Sequence, residues 1–309
     1  MPSAFVVPLP DNAVIAVSGD DAAAFLHGQF TNDVEALAPG AAQWNGWCTP
    51  KGRLYATFLL VRRPRDFLLV MPAEMAAAFA KRLAMFVLRS RVRIEDAGGA
   101  LACIGVAGEG SAQAVSQRWG EAPAPMKSAS SGGALCVGLE ADRFLVVCPA
   151  EHAAELRESL GAGAAPGTRE QWEWAAIHAG IPTIVNATRE AFVPQMANFE
   201  LVGGVSFRKG CYPGQEIVAR TQYRGILKRR MALAHLDAAQ RPQPGDSVYS
   251  DAFGEQAAGT VVNVAAAPQG GFDALVVAQV EGIAHRDLRW KSPGGPPIEI
   301  LSHPPLEAA

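Results

Sequence analysis

Nine consecutive residues carry most of the chemistry open to this chain: Arg208-Lys209-Gly210-Cys211-Tyr212-Pro213-Gly214-Gln215-Glu216, with Arg220 shortly after. Gly210 admits a positive φ or a close backbone approach, and Pro213-Gly214 is a turn signal beside the cysteine. Gln215, Glu216 and the apolar residues after them open a helix. A thiol just ahead of a helix N-terminus, with Lys209 two residues back, sits in positive potential. That setting favours a thiolate, which can act as a nucleophile or a metal ligand. A structural cysteine in a tight turn is the other reading, because buried cysteines are common. Composition alone leaves both open.

The elements around this stretch follow from pattern and punctuation. Residues 13–17 read as a strand and 22–28 as a helix capped by Ser18-Gly19-Asp20-Asp21, with a polar loop at 29–33. Trp44-Asn45-Gly46-Trp47 and Lys51-Gly52-Arg53 bracket a turn before a strand at 54–62, which pairs with 67–71. A helix at 73–86, a strand at 89–95, a strand at 101–106 and a helix at 111–119 follow. The glycine-rich turn at 105–110 lacks the G-x-G-x-x-G spacing, so a tight turn outweighs a dinucleotide site. Residues 123–133 read as a loop, 135–139 and 143–148 as a hairpin, and 151–160 as an amphipathic helix. A helix at 168–178 stops at Gly180, with Pro182 beyond it. Arg224, Lys228, Arg229 and Arg230 read as a solvated run on a linker at 223–228. After it, short segments at 231–236, 247–249, 259–264, 274–280 and 298–301 read as a small antiparallel barrel. Strand pairs alternating with helices favour α+β over a doubly wound sheet.

The chain has 309 residues, enough for two or three domains, and a formal charge of -3. That charge gives no electrostatic drive toward nucleic acid or an anionic membrane, so strong direct nucleic-acid binding is not expected. No apolar run is long and uncharged enough to span a bilayer, and Met1-Pro2-Ser3-Ala4-Phe5 lacks the basic start of a signal peptide. The five cysteines, Cys48, Cys103, Cys136, Cys148 and Cys211, show no C-x-x-C pair and no zinc spacing. A reducing cytoplasm and no bound metal are the expectations.

The signature Lys209-Gly210-Cys211-Tyr212-Pro213-Gly214-Gln215-Glu216 with Arg220 resembles that of the YgfZ branch of the GcvT-like folate-binding proteins. Phe192-Val193-Pro194-Gln195 and Gly203-Gly204-Val205-Ser206-Phe207 resemble the same family's approach to it. So do Phe25-Leu26-His27-Gly28-Gln29-Phe30-Thr31-Asn32-Asp33-Val34 and Trp47-Cys48-Thr49-Pro50-Lys51-Gly52-Arg53. The resemblance implies interleaved α+β subdomains over 1–227 around a central cavity, then a C-terminal β-barrel at 228–309. It implies tetrahydrofolate, or another reduced folate, as the cofactor. The folate contacts it implies are Gln29, Asn32, Asp33, Trp47, Lys51, Arg53, His178, Gln195, Tyr212, Gln215 and Glu216.

Two departures separate this chain from the family's aminomethyltransferases. The strand that carries their acidic folate residue corresponds to Leu54-Tyr55-Ala56-Thr57-Phe58, which has no Asp or Glu. Their pterin-contacting Glu-Ala-Gly corresponds to His178-Ala179-Gly180, and a neutral imidazole accepts one hydrogen bond where a carboxylate accepts two. His178 reads equally well as a packed helix-end histidine. The branch is implicated in making or repairing iron–sulfur enzymes and, through one of them, in tRNA modification. One cysteine cannot hold a four-iron cluster alone. Cys211 is therefore expected to act as a transient ligand or redox nucleophile, with Lys209 and Arg220 sustaining its thiolate. The expected partners are folate and iron–sulfur client enzymes or assembly factors, and the expected state is a monomer. A folate-dependent aminomethyl transferase acting on a small amine is the alternative; an RNA-binding modification factor is disfavoured by the charge.

Overall fold

Alternation along single strands sets the layering of this chain. In Arg143–Pro149, Phe144, Val146 and Cys148 enter one apolar cluster, whereas Leu145 and Val147 enter another. A strand with both faces apolar must be covered twice. The structure, a computed structural model, describes residues 3–140, 142–224 and 227–306, with only the backbone of Arg224. Gly225 and Ile226 of the expected linker, and Met1 and Pro2 at the start, lie outside the described residues.

The chain divides into two compact units, Met1–Asn45 with Phe58–Trp172, and Gly46–Thr57 with Glu173–Ala309. The first holds an antiparallel sheet in which Leu101–Ala107, Arg143–Pro149, Ala134–Glu140 and Ser128–Ser131 pair in that order. Phe5–Pro8 extends it on the other side of Leu101–Ala107. Its helices Ser111–Trp119 and Ala153–Gly161 bury Val115, Leu156 and Leu160 against one face. A second sheet joins Asn12–Ser18 to Asp66–Pro72 and Arg93–Asp96. Val14, Leu59, Leu68 and Val70 of that sheet meet Cys103, Leu145 and Val147 of the first in one core.

Several expectations need correction here. Ser128–Ser131, read as loop, is an edge strand. Gly132 and Gly133, both at positive φ, turn it back onto Ala134–Glu140, so pairing overrides the weak propensity of a Ser-Ala-Ser-Ser run. The strand expected at 89–95 is confined to Arg93–Asp96, because Asp21 accepts the Arg91 backbone N–H at 2.7 Å and holds the preceding turn. Strands Phe5–Pro8 and Ala42–Cys48 and helix Val280–His285 were not anticipated. In the glycine-rich turn, Gly105 is explained by packing: a Cβ there would stand 2.6 Å from the Trp172 ring.

The second unit is built on a six-stranded antiparallel sheet, curled into a half-barrel. Its strands run in the order Arg289–Trp290, Ser247–Tyr249, Gly259–Ala266, Phe272–Gln279, Arg229–Leu236 and Glu299–Ser302. Ala232, Ala234, Leu236, Ala274, Val276 and Ala278 point into its apolar core, together with Val248, Val261 and Trp290. The alternate residues Met231, His235, Asp273 and Leu275 must then face the opposite side. The sheet's strand Arg229–Leu236 begins at Arg229. Arg230 is not part of a solvated run. It pairs with Glu200, whose side chain is 8 % exposed, and donates to the Gln195 carbonyl at 3.0 Å.

Candidate functional site

The signature stretch lies in the second unit and is pinned at both ends. Gly214, at φ +80°, would place a Cβ 2.3 Å from the Thr49 carbonyl oxygen and 2.7 Å from Gly52 Cα. Gly52, at φ +70°, would place one 2.8 Å from Ile217 Cβ. The two turns therefore touch backbone to backbone, and only glycine allows it. The Gly52 turn is closed by Gly52 N–H donating to the Thr49 carbonyl at 2.9 Å and by Thr49 N–H donating to the Arg53 carbonyl at 2.8 Å. Arg53 reaches across to donate to the Ala191 carbonyl at 2.6 Å. Trp47 is buried and meets Tyr55 edge-on, with ring centroids 5.3 Å apart. Lys51 is exposed.

Within the signature, burial alternates sharply. Lys209 and Tyr212 are buried at 8 % and 7 % exposure, and the Lys209 ammonium lies 5.0 Å over the Tyr212 ring. Cys211 between them is exposed. Burial, and secondarily Cys48, pushes the Tyr212 hydroxyl pKa upward, so it stays a neutral hydrogen-bonding group. Helix Gln215–Arg224 then carries Glu216 and Arg220 on its exposed side, one turn apart, while Gln215 is half-buried. Gln195, fully buried, donates from Nε2 to the Val218 carbonyl at 2.7 Å; its Oε1 has no partner among the described residues.

The other four cysteines are buried. Burial pushes the Cys136 thiol up to about 12. Burial and the neighbouring Cys148 push Cys103 up to about 12. Cys48 and Cys148 are raised by burial as well.

The remaining expected contacts sit elsewhere. Gln29, Asn32 and Asp33 belong to the first unit. Asn32 donates from Nδ2 to the Trp44 carbonyl at 3.0 Å, and its backbone N–H donates to Asn45 Oδ1 at 3.1 Å. Asp33 accepts the Ala36 N–H and lies 3.2 Å from His27 Nδ1. Gln29 Oε1 is buried without a partner among the described residues.

His178, at the end of helix Arg169–His178, is engaged by residues that sequence reasoning missed. Its Nε2 lies 2.7 Å from Asp273 Oδ2, which also accepts from Trp174 Nε1 at 2.7 Å. Asp273 Oδ1 lies 2.7 Å from His235 Nδ1, the residue directly across the strand pair. Asp273 is fully buried. The available signal was a lone carboxylate inside the otherwise apolar strand Phe272–Gln279. Thr57 stands in the stretch without Asp or Glu. Its hydroxyl donates to the Pro182 carbonyl at 2.9 Å and accepts the Ile184 N–H at 3.0 Å, tying down the chain that leaves His178.

Comparison with known proteins adds four findings. The family model described as the GCVT N-terminal domain matches residues 11–128. The tRNA-modifying protein YgfZ of Yersinia pestis (strain Pestoides F) is 32% identical over 246 residues, 79% of this chain and 74% of that protein. The protein of the same name from Cronobacter sakazakii (strain ATCC BAA-894) is 31% identical over the same shares. The crystal structure of glycine cleavage system aminomethyltransferase T from Bartonella henselae superposes with a TM-score of 0.73 at 16% identity, covering 97% of this chain and 85% of that one. This last likeness speaks to the fold.

Proposed function

Since the chain belongs to the YgfZ branch of the GcvT-like proteins, we propose that it is a tetrahydrofolate-binding accessory protein for iron–sulfur enzymes. It would support assembly or repair of their clusters and, through one such enzyme, tRNA modification, acting by way of Cys211. The observation that carries this reading is the exposed Cys211 set between buried Lys209 and Tyr212 on a loop held by the Gly52–Gly214 contact. A merely structural cysteine is usually buried, as the other four are.

The residues present fit a reduced folate. Gln195 Oε1 of the second unit is a buried acceptor without a partner among the described residues, and a heterocycle with N–H edges offers a donor to such an atom; Gln29 is carried as a contact on the ground of the resemblance. Lys51 and Arg220 are exposed cations of the kind a carboxylate tail needs. Trp47 and Tyr212 would contribute apolar wall, Gln215 and Glu216 polar contacts at the helix start. Asn32, Asp33, Arg53 and His178 are carried as contacts on the ground of the resemblance. When bound, tetrahydrofolate supplies a one-carbon carrier.

Among the described residues, no group of three or more His, Cys, Asp and Glu side chains is arranged to hold a metal. Cys211 would therefore give a single thiolate to a cluster carried by a client protein, with the other ligands supplied there. No helix among the described residues is long and apolar enough to cross a membrane. A cytoplasmic monomer meeting client enzymes or assembly factors is part of the reading, with 1–227 as its folate-binding region and 228–309 as its barrel.

Ligand binding to the native state alone raises the melting temperature as ligand is added. Thermal shift with tetrahydrofolate on wild type and Cys211→Ser tests both halves. Both proteins should be stabilised by folate, while the Ser variant fails to restore iron–sulfur enzyme activity in cells lacking the wild type. No shift at millimolar tetrahydrofolate removes the folate half; full complementation by Cys211→Ser removes the thiol half.

A further inference from the structure

Residues 75–94 carry five cations, Lys81, Arg82, Arg89, Arg91 and Arg93, and no Asp or Glu. Between those cations stand Met85, Phe86, Val87 and Leu88, directly after helix Ala73–Ala84. That helix buries Met75, Ala76, Phe79 and Leu83. The apolar run beyond it does not follow them inward. Met85 is 66 %, Phe86 43 % and Leu88 86 % exposed. Apolar side chains scattered singly on a surface are ordinary, but three large ones within four residues mark an interaction site.

The backbone beneath this patch is closed by hydrogen bonds. Met85 N–H donates to the Arg82 carbonyl at 3.2 Å, Phe86 N–H to Leu83 at 3.1 Å and Val87 N–H to Ala84 at 3.1 Å. The far end is clamped on the chain around Gly19. Asp21 accepts the Arg91 N–H at 2.7 Å, and a Cβ on Gly19, at φ +116°, would stand 2.0 Å from the Arg91 carbonyl oxygen. Met85 and Leu88 are therefore presented on a preformed tip, which lowers the ordering cost of binding.

Charge around the tip selects its occupant. Arg91 pairs with Asp20 at 2.9 Å and Arg93 with Glu95 at 2.6 Å. Lys81, one helical turn before Met85, and Arg89, next to Leu88, are exposed and have no ion-pair partner among the described residues. A second copy of the chain would set this cationic rim against an identical one. An anionic bilayer is a plane, so it would also meet exposed Asp20, Asp21 and Glu95, on a chain of net charge -3. Nucleic-acid bases stack on flat rings, and of the three exposed side chains only Phe86 has one. A helix about 10 Å across is narrow enough to meet the tip and the two free cations alone.

We propose that residues 81–89 dock an amphipathic helix of a partner protein. Its apolar face covers Met85, Phe86 and Leu88, and Asp or Glu residues bordering that face meet Lys81 and Arg89. The inference does not rest on the folate or Cys211 readings.

The test uses the full-length chain and two labelled helical peptides of about 18 residues, long enough to hold a helix. They share one leucine face and differ only in a polar face of Glu or of Lys. Fluorescence anisotropy should show the Glu peptide binding at least about tenfold more tightly than the Lys peptide. Met85→Ser and Leu88→Ser should each weaken the Glu peptide about tenfold, as loss of a buried large apolar side chain does. Lys81→Glu combined with Arg89→Glu should remove the preference for Glu over Lys. Melting temperatures of all these variants should match wild type, because the side chains are exposed in the free protein. In cells, a photo-reactive phenylalanine at position 88 should cross-link to an acid-bordered helix, and the double charge reversal should abolish the cross-link.

No binding of the Glu peptide, or equal binding of both peptides, overturns the inference. So does a fall in melting temperature like that of a core substitution. Leu88-dependent sedimentation with vesicles of phosphatidylcholine and roughly a quarter phosphatidylglycerol would assign the tip to lipid instead. Dimerisation abolished by Leu88→Ser would assign it to a second copy, and a cross-link to RNA would assign it to nucleic acid.

Discussion

Gly52 and Gly214 lie with their backbones in contact, each in a left-handed conformation and each occupying the space a side chain on the other's turn would need. Through them the turn carrying Lys51 and Arg53 and the loop carrying Cys211 become one piece of structure. Sequence distance between the two is irrelevant to that contact; what matters is that both lack a Cβ.

Gly214→Ala should therefore cost more than the left-handed backbone alone, which is worth about 1–2 kcal/mol. Gly203 supplies the control: its φ is +74°, yet a Cβ there meets nothing within 4 Å. Urea unfolding should show Gly203→Ala losing about 1–2 kcal/mol and Gly214→Ala clearly more. Equal losses would mean that the two turns do not depend on close contact.

Accessibility separates the cysteines. In the native protein at pH 7.5, an alkylating reagent should modify Cys211 and leave Cys48, Cys103, Cys136 and Cys148 intact, because the latter are buried and their thiols are held neutral. Peptide mapping by mass spectrometry reads this directly. All five should react once the chain is unfolded. Modification of Cys48 as fast as Cys211 would contradict the structure around the signature.

Thr57 holds residues 182–184 with one hydroxyl. Thr57→Val keeps the shape but leaves the Pro182 carbonyl and the Ile184 N–H unpaired, at about 1–3 kcal/mol for each buried group. Thr57→Ser keeps the hydroxyl and should lose only about 1 kcal/mol, from the missing methyl. Denaturant midpoints that rank Ser below Val would reject this role for the hydroxyl.

Asp273 gives a pH dependence with a definite sign. Its folded pKa lies below the ordinary carboxylate value, so it binds its proton less readily folded than unfolded. Its stabilisation is present above about pH 4 and is lost as pH falls from there through the folded value. The stability gap between wild type and Asp273→Asn should shrink as pH falls below about 4. A gap unchanged down to pH 3 would show that Asp273 is not held as a stabilised anion.

Local pattern made much of this legible beforehand. Strand Leu54–Arg62, helix Ser111–Trp119, the paired strands Ala134–Glu140 and Arg143–Pro149 and the helix ending before Gly180 all stand where apolar period and punctuation put them. Edge strand Ser128–Ser131 was not legible, since its polar residues gain a strand conformation only from the neighbour they pair with. Arg230 was misread for a similar reason: its charge marks it for solvent, but Glu200 and the Gln195 carbonyl await it inside.

By itself the sequence determined which residue types could do chemistry and where turns and helix starts must fall. Lys209, Cys211, Tyr212 and the flanking glycines announce themselves because their conformational demands are local. Tertiary structure alone decided which of them face solvent, that Gly214 meets Gly52, and that His178 faces a carboxylate 95 residues away. A strand residue's partner depends on sheet register and on the helix that packs over it. An Asp among apolar neighbours is an anomaly along the chain; it becomes a hydrogen-bond hub when Trp174, His178 and His235 arrive from separate elements to satisfy a charge that could not otherwise be buried.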